Sequence, residues 1–304
     1  MAALSEPLRF LLFFFLLCDS PVYAGKCHKG DKKVLLSIKN SIGDYIFTGW
    51  TSDFACCDWS GVGCDEVSNR VTSLDVGQTN TTFSLPAAVS DLPFLTSLSF
   101  HKNPGLVGPI PARHRPPHLP PSRLEQPLWP RPRLPRRAPT LPLDFLAIDR
   151  NRLTGPIPDS LGRSSLIYLY LSHNNLTGQV PASFAGNTVA EVVDLSRNQL
   201  SGDASALFGK GKPLWRLDLS RNHEIEFDLG KVEIPEKIVA LDLNHNKVFG
   251  RLPPEMGKIQ WQLLNVSYNR LCGRIPSGER IESMDQYSFL HNDCLCGPPL
   301  PPCK

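Results

Sequence analysis

The stretch that decides the fold lies in the second half of the chain and reads Leu166-x-x-Leu169-x-Leu171-x-x-Asn174-x-Leu176-x-Gly178-x-Val180-Pro181. Its asparagine returns at a nearly constant interval, at Asn151, Asn174, Asn198, Asn222, Asn246 and Asn269. Less regular copies of the pattern begin earlier, at Val71 and Leu95. In each copy, the Leu-x-Leu alternation predicts a short β-strand with one apolar side. A single copy has nothing against which to bury that side, so the copies are expected to stack.

This pattern resembles the leucine-rich repeat, in the version that carries Leu/Val-x-Gly-x-Ile/Val-Pro after the asparagine. The resemblance implies an α/β fold, a right-handed solenoid with a concave parallel β-sheet. The asparagine side chain is expected to bond backbone groups of neighbouring turns that would otherwise be buried without partners. The run Asp31-Lys-Lys-Val-Leu-Leu-Ser-Ile-Lys is interpreted as a helix that caps the first repeat.

Two groups of cysteines lie at the ends of the repeats. Cys18 belongs to the leading apolar segment, and the other eight are Cys27, Cys56, Cys57, Cys64, Cys272, Cys294, Cys296 and Cys303. Eight cysteines allow 105 pairings, but the distance between the groups favours local pairing, and adjacent cysteines rarely bond to each other. The expected bridges are Cys27–Cys56, Cys57–Cys64, Cys272–Cys294 and Cys296–Cys303. A zinc site is the weaker alternative, because secreted thiols oxidise and no histidine lies at zinc-finger spacing.

The segment from Met1 to Ala24 is predicted to be a signal peptide. Arg9 precedes an apolar run from Phe10 to Cys18, and an Ala-x-Ala-like cleavage site ends at Ala24. The run is shorter than the ~20 apolar residues that a membrane-spanning helix needs, and no later stretch supplies one. Three glycosylation motifs agree with a secretory route, at Asn80, Asn175 and Asn265. We expect a secreted, extracellular protein.

Composition narrows the class of protein and isolates one segment. The 304 residues are 41% hydrophobic and carry a formal charge of +3, which excludes disorder throughout the chain and argues against a strongly basic nucleic-acid-binding protein. Residues 112–142 differ from the rest, because they hold ten of the 29 Pro and seven Arg but one acid, Glu125. Proline lacks a backbone N–H, so this segment is not expected to supply a central strand.

Three interpretations of residues 112–142 compete: a disordered insertion, a Pro-rich binding motif and a reading-frame error. The interval from Asn103 to Asn151 is two repeat lengths, with one asparagine missing. Codons compatible with Glu125 to Pro139, read one base later, encode Ser-Asn-Leu-Ser-Gly-Pro-Val-Pro, which matches a repeat. We favour the frame error as a hypothesis and expect the missing strand to break the stacking here. As written, the segment is interpreted as a solvated, unstructured loop, and binding of its arginines to acidic pectin is the alternative.

The expected organisation follows from these boundaries. It is a signal peptide (1–24), an N-terminal Cys-rich cap with a helix (25–70), repeats (71–111), the aberrant and disordered segment (112–142), repeats (143–276) and a C-terminal Cys-rich cap (277–304). The caps would cover the apolar ends of the stack. Each bridge should stabilise them by ~2–4 kcal/mol.

Five motifs follow one another from the first cap to the last. They are Cys56-Cys-Asp-Trp59, Phe100-His-Lys102, Asp194-Leu-Ser-Arg-Asn198, Leu264-Asn-Val-Ser-Tyr-Asn-Arg-Leu-Cys-Gly273 and Cys294-Leu-Cys-Gly-Pro-Pro-Leu-Pro-Pro-Cys-Lys304. Together they resemble the plant polygalacturonase-inhibiting proteins, over residues 25–111 and 143–304. The resemblance implies a cell-wall defence protein that binds fungal endopolygalacturonases through its concave face and limits pectin degradation.

The candidate partner-binding residues lie beside the leucines of each strand, where they form columns across neighbouring strands. Aromatic and arginine side chains are the expected anchors of a protein interface, and aspartates are expected to steer encounter. The predicted set is Phe145, Asp149, Tyr168, Tyr170, His173, Asp194, Arg197, Arg216, Asp218, Arg221, Asp242 and His245. For any single member, an ordinary solvated position is the more frequent role. Repeat register explains His173 and His245 better than a metal site does.

No enzyme, cofactor or metal is expected, because the carboxylates are periodic and an open solenoid implies no deep pocket. The alternative function is an extracellular ligand-binding or co-receptor module in developmental or immune signalling. Such a module would need a partner, because the sequence shows neither a membrane span nor a kinase. A decayed, non-functional copy of an inhibitor is a third interpretation if the frame error is real. Binding to a polygalacturonase, as against a peptide or receptor, distinguishes the first two.

Overall fold

The computed structural model describes residues 27–43, 47–79, 81–112 and 143–304. The predicted signal peptide, the Asn80 motif and almost all of the Pro/Arg-rich segment lie outside these residues. Within them, no helix has the length and apolar character to cross a membrane. The described α-helices are α1 (Lys29–Ile42), α2 (Asp159–Gly162) and α3 (Glu279–Glu282). Short 3₁₀ helices lie at Cys56–Asp58, Ala87–Asp91, Ala182–Gly186, Ser205–Leu207, Leu229–Lys231, Pro254–Lys258 and Gln286–Ser288.

Short β-strands make up most of the regular structure. In chain order, the strands of the described residues are β1 (Val62–Cys64), β2 (Val71–Asp75), β3 (Phe83–Ser84), β4 (Ser97–Ser99), β5 (Leu106–Pro109), β6 (Phe145–Ala147), β7 (Arg152–Pro156), β8 (Tyr168–Tyr170), β9 (Asn175–Gly178), β10 (Val192–Asp194), β11 (Gln199–Gly202), β12 (Arg216–Asp218), β13 (Glu224–Ile225), β14 (Ala240–Asp242), β15 (Phe249–Gly250), β16 (Leu263–Asn265), β17 (Arg270–Arg274) and β18 (Cys294–Cys296). From β6 to β17, each repeat supplies two strands, and the first strand of every repeat belongs to the same sheet.

The Leu-x-Leu strands form the large sheet, in the order β1-β2-β4-β6-β8-β10-β12-β14-β16. Its pairs are parallel except for the antiparallel pair β1–β2 at the N-terminal end. The central residues align across the strands, with Leu169 beside Val193 and Val193 beside Leu217, and all three are buried. This arrangement confirms the predicted leucine-rich-repeat solenoid with its parallel sheet.

The repeated asparagines hold successive turns together. Asn174 donates from Nδ2 to the carbonyls of Ile148 in the preceding repeat (2.9 Å) and Leu171 in its own (3.0 Å), and its Oδ1 accepts the Leu153 N–H (3.0 Å). The side chain therefore satisfies three backbone groups in a buried position. Asn198, Asn222 and Asn269 make equivalent bonds.

A second parallel sheet, which the sequence analysis did not predict, forms from the second half of each repeat. Its order is β13-β11-β9-β7-β5-β3, and a shorter sheet, β15-β17-β18, lies further along the chain. The Leu-x-Gly portion of the motif supplies the strands, and Gly178 at the end of β9 has a φ of +80°. Only glycine adopts that backbone conformation without strain, which explains why this position of the motif is glycine.

The repeats on either side of the Pro/Arg-rich segment stack directly on each other. Strand β4 pairs with β6, and β5 pairs with β7. The asparagine ladder also continues across this point, because Asn103 N–H donates to Asn151 Oδ1 (2.7 Å) and Asn151 Nδ2 donates to the Phe100 carbonyl (2.7 Å). The expectation that stacking breaks here is therefore wrong. The repeats on both sides of the segment are complete. Each therefore presents to the other the backbone N–H and carbonyl groups that pair neighbouring strands.

Both ends of the stack carry disulfide-linked caps. The bridges are Cys27–Cys56, Cys57–Cys64, Cys272–Cys294 and Cys296–Cys303, as the sequence order predicts. Helix α1 packs its buried Leu35 and Ile38 against the first repeats. Buried Asp31 on this helix accepts two hydrogen bonds from the Arg70 guanidinium (both 2.8 Å), which ties the helix to the chain just before β2.

Candidate partner-binding face

The register of the large sheet sorts the predicted residues into columns on one face. The column that begins the strands contains Phe145, Tyr168 and Arg216, and the column that ends them contains Tyr170, Asp194, Asp218 and Asp242. Beyond the strand ends lie Asp149 and then His173, Arg197, Arg221 and His245 at one equivalent repeat position. The structure thus places the whole predicted set along one surface. The first column is interrupted by Val192, which is buried between Tyr168 and Arg216.

The aspartate column is an unusual electrostatic feature of this face. Asp194, Asp218 and Asp242 lie side by side on paired strands, and each accepts hydrogen bonds from the residue two positions later. Burial raises the pKa of Asp218. Burial, together with the neighbouring Asp218 charge, raises the pKa of Asp242 to about 6, against the lowering effect of hydrogen bonds from Asn244. The column therefore holds negative charge that is only partly offset by hydrogen bonds.

Three aromatic rings lie together toward the N-terminal side of the aspartates. The ring centroid of Phe145 is 6.2 Å from that of Tyr168 and 5.8 Å from that of Tyr170. All three side chains are half-buried, and burial raises the pKa of Tyr170. Such rings offer a large contact area with few rotatable bonds, which suits the anchor of a protein interface.

A basic and aromatic column runs along the edge of the face. Its members share a left-handed backbone, with φ between +53° and +57°, and are Lys102, Arg150, His173, Arg197, Arg221, His245 and Tyr268. Burial and then nearby arginines lower the pKa of both His173 and His245. His173 and His245 are separated by Arg197 and Arg221 in this column, so they do not form a common metal site.

Several further residues of this face lie outside the predicted partner-binding set. His101 pairs with Asp149 (Nδ1 to Oδ2, 2.8 Å), although it precedes that aspartate by two repeat lengths. Tyr268 stacks between His245 (4.2 Å between ring centroids) and His291 (4.1 Å). The repeat register was the available signal, because all of these residues occupy column positions. It was not decisive, because register assigns a column and says nothing about side-chain contacts.

The remaining predicted sites occupy different surroundings. Asn175 is exposed at the start of β9, whereas Asn265 is half-buried in β16 at the end of the aspartate column. Among the described residues, Cys27, Cys56 and Cys57 are the group of thiol, imidazole or carboxylate side chains close enough to hold a metal. All three are bonded in disulfides, which removes them as thiolate ligands.

The fold and this open face define the class of protein. A family model described as the leucine rich repeat N-terminal domain matches residues 28–65, and one described as the Leucine Rich Repeat matches residues 165–187. Among solved structures, a plant ice-binding protein is similar over 92% of this chain and 99% of its own, with 33% identity and a TM-score of 0.56. PEPR1 in complex with AtPEP1 covers 86% of this chain and 34% of its own at 24% identity and a TM-score of 0.63, which shows the fold alone. The chain is a leucine-rich-repeat protein.

Curated relatives make the assignment more specific. The polygalacturonase inhibitor of Pyrus communis is 44% identical, over 97% of this chain and 96% of its own length. Polygalacturonase inhibitor 2 of Arabidopsis thaliana is 42% identical, over 97% and 98%, and the inhibitor of Vitis vinifera is 41% identical, over 93% of each chain. The chain belongs to the polygalacturonase inhibitor family. The members of this family are inhibitor proteins and not enzymes.

Proposed function

We propose that this protein binds and inhibits fungal endopolygalacturonases through the face of its large sheet, and so limits pectin degradation as a secreted component of the plant cell wall. The observation that carries the proposal is the identity of 39–44% to several polygalacturonase inhibitors over 97% of the chain. The predicted signal peptide and glycosylation motifs support secretion.

The chemistry of the face supports a protein partner. Half-buried Phe145, Tyr168 and Tyr170 provide anchors that are already packed against one another, which reduces the entropy lost on binding. The aspartate column and the basic edge column provide separate charged stripes, which suit electrostatic steering and orientation of a partner.

The first experiment is a titration of pectin hydrolysis by a panel of fungal endopolygalacturonases. The inhibitors are this protein and a frame-restored variant, in which the codons of residues 118–139 are read one base later to give a complete repeat. Inhibition by this protein supports the proposal. Inhibition by the restored variant alone marks this chain as a damaged copy, and no inhibition by either form across the panel favours the signalling alternative.

A matched pair of arginines tests whether the large sheet is the working surface. Arg216 is exposed on β12 of that sheet, and Arg152 is exposed on β7 of the second sheet. We expect Arg216→Ala to raise the inhibition constant about tenfold, since truncating a side chain that anchors an interface typically costs more than ~1 kcal/mol. Arg152→Ala should change it by less than about twofold. The reverse order would place the working surface on the second sheet.

A further inference from the structure

Three sulfur atoms lie together in the N-terminal cap, although they belong to two different disulfides. The Sγ atoms of Cys27, Cys56 and Cys57 are all within 4.8 Å of one another. Cys27 is bonded to Cys56, and the adjacent Cys57 is bonded to Cys64. The C-terminal cap, which is described in full, also has two disulfides but no comparable group of three sulfurs. The N-terminal cap therefore brings a third sulfur close to a completed bridge.

Backbone contacts hold this third sulfur in place. The N–H of His28, the residue after Cys27, donates to the Asn69 carbonyl (3.0 Å), and the Sγ of Cys57 lies 4.0 Å from the same oxygen. The other two sulfurs of the group are equally constrained, because one belongs to the bridge at the start of α1 and the other to the short 3₁₀ helix that also contains Cys57. None of these contacts is made by the bond between Cys57 and Cys64. The proximity is therefore expected to persist when that bond is broken.

The two bridges differ in their exposure to a dissolved thiol. Cys56 is fully buried within the apolar core, whereas Cys27, Cys57 and Cys64 are half-buried. An attacking thiolate must reach a sulfur, and the departing sulfur leaves more readily when its own thiolate is stable. Apolar surroundings destabilise a thiolate. Reduction of Cys57–Cys64 is therefore favoured over an attack that expels Cys56.

We propose that the N-terminal cap is a disulfide relay, in which reduction of one bridge is followed by rearrangement of the other. A dithiol first reduces Cys57–Cys64 and is itself oxidised to a disulfide, which leaves thiols on Cys57 and Cys64. The Cys57 thiolate then attacks Cys27, so that the Cys27–Cys57 bond forms, the Cys27–Cys56 bond breaks, and Cys56 leaves as a thiolate and takes up a proton. This second step consumes no further electrons. Attack on Cys56 instead would join adjacent cysteines, which rarely bond to each other.

The relay keeps the cap closed after one bridge has been lost. In both arrangements Cys27 is bonded to the 3₁₀ helix, so the start of α1 stays tied to the rest of the cap. The rearranged form also carries its remaining cap thiol at buried Cys56, where a neutral cysteine packs as a small apolar residue and is shielded from further reagents. These properties belong to the cap alone, so the relay holds or fails independently of any inhibition of polygalacturonases.

The first test is a brief reduction of the unmodified protein with dithiothreitol. N-ethylmaleimide then labels the free thiols, and fragmentation mass spectrometry locates the labels and the remaining bridges. The relay predicts labels on Cys56 and Cys64 together with a bridge between Cys27 and Cys57. Labels confined to Cys57 and Cys64, or loss of both bridges without any Cys27–Cys57 product, would overturn the proposal.

The C-terminal cap supplies a control within the same molecule. Its Cys296–Cys303 bridge has the same sequence separation as Cys57–Cys64, 7 in each case, but lies in no group of three sulfurs. Reduction there should label Cys296 and Cys303 and leave Cys272–Cys294 unchanged. Rearranged bridges in both caps would show general scrambling and would also contradict the proposal.

A matched pair of serine variants isolates the second step from the reduction. Cys64→Ser frees Cys57 without any reductant, and Cys303→Ser frees Cys296 in the control cap. After transfer from acid, where exchange is slow, to mildly alkaline buffer, Cys64→Ser should form the Cys27–Cys57 bridge at a rate independent of protein concentration. This rate should rise about tenfold for each pH unit below a thiol pKa of ~8.5, because the thiolate is the nucleophile. Cys303→Ser should keep its free thiol at Cys296.

The variants also give results that would contradict the relay. A free thiol that stays on Cys57 in Cys64→Ser at alkaline pH would exclude the rearrangement. A rate that rises with protein concentration would assign the exchange to collisions between molecules and not to the sulfur group of the cap. The test on the unmodified protein needs no variant to fold, so it decides the proposal even if Cys64→Ser is unstable.

Discussion

Asp242 shows how a single carboxylate on the binding face links stability to pH. Its pKa is raised to about 6, first by burial, from an ordinary value of 3.8. Between these two values, the folded state holds a proton that the unfolded state has released. Stability contributed by the protonated form is therefore full below about pH 4 and is lost as the pH rises through about 6.

This loss of stability with rising pH predicts the effect of the substitution Asp242→Asn. An amide keeps the acceptor oxygen that receives the Asn244 N–H (3.0 Å) but carries no charge. We expect the variant to be more stable than the parent by ~1–3 kcal/mol at pH 7, since one pKa unit corresponds to ~1.4 kcal/mol. The gain should disappear near pH 4. Urea unfolding at several pH values measures it.

The control for Asp242→Asn is Asp144→Asn, because Asp144 is an exposed carboxylate that lies just before β6, four strands from Asp242 in the large sheet. Its free energy of unfolding should stay within about 0.5 kcal/mol of the parent at every pH. An equal gain for Asp242→Asn at pH 4 and pH 7 would show that charge burial is not the cause.

The stability contributed by buried Asp31 depends on pH in the opposite direction to that of Asp242. Burial alone would raise its pKa, but hydrogen bonds from Arg70 and from the Val71 N–H outweigh burial and lower it. Its contribution is therefore present above pH 3.8 and is lost as the pH falls through the lowered pKa. Asp31→Ala would leave the Arg70 guanidinium mostly buried without its partner, and we expect a loss of ~3 kcal/mol at pH 7. Thermal unfolding measures it, with exposed Glu66→Gln as the neutral control.

At the scale of the elements, one of the repeated asparagines, Asn246, lacks a hydrogen bond that the equivalent asparagines make. Asn246 donates three hydrogen bonds from Nδ2, but its buried Oδ1 accepts none from the described residues. In the preceding repeats the buried apolar residue follows the asparagine by two positions, as Leu200 follows Asn198, whereas Ile225 follows Asn222 by three. The extra residue, His223, has a φ of +64° and displaces the N–H that would have reached Asn246.

Asn198 and Asn246 therefore offer a matched pair of substitutions. Asn198→Ala loses the bond from the Leu176 N–H as well as those from Nδ2, whereas Asn246→Ala loses only the latter. We expect Asn198→Ala to be the more destabilising by about 1 kcal/mol, the net value of one hydrogen bond. Denaturant unfolding at equal pH compares them. Equal losses would mean that Oδ1 of Asn246 has a partner, such as a bound water.

The elements also show which parts of the structure the sequence could predict. Leu169 and Asn174 recur at fixed spacing, so the parallel sheet and its ladder followed from periodicity. The second sheet could not be predicted from periodicity. The strand around Leu176 is short, and Gly178 within the motif indicates a turn. The pairing of His101 with Asp149 was not predictable, because it depends on which repeats become neighbours and not on the pattern within a repeat.

At the scale of the whole molecule, this chain and an aligned relative differ by insertions and deletions. The alignment with the Pyrus communis inhibitor spans 348 positions, more than the 304 residues of this chain, so that relative has residues with no counterpart here. The frame error remains a hypothesis, which sequencing of the transcript and the genome across residues 112–142 tests. An uninterrupted open frame with the codons as given would remove it.

The stability of the whole solenoid supplies the last prediction. In a repeat protein, the free energy of unfolding is approximately the sum of a contribution from each repeat and a contribution from each interface between neighbouring repeats. The frame-restored variant would replace the single β4–β6 interface by two, so we expect its thermal midpoint to exceed that of this protein. A second variant, in which a short flexible linker replaces residues 113–142, should be at least as stable as this protein, because β4 and β6 already pair and a shorter loop costs less entropy to close. Equal midpoints for the restored and present forms would refute the first expectation. A large loss in the linker variant would show that residues 113–142 contribute to the fold after all.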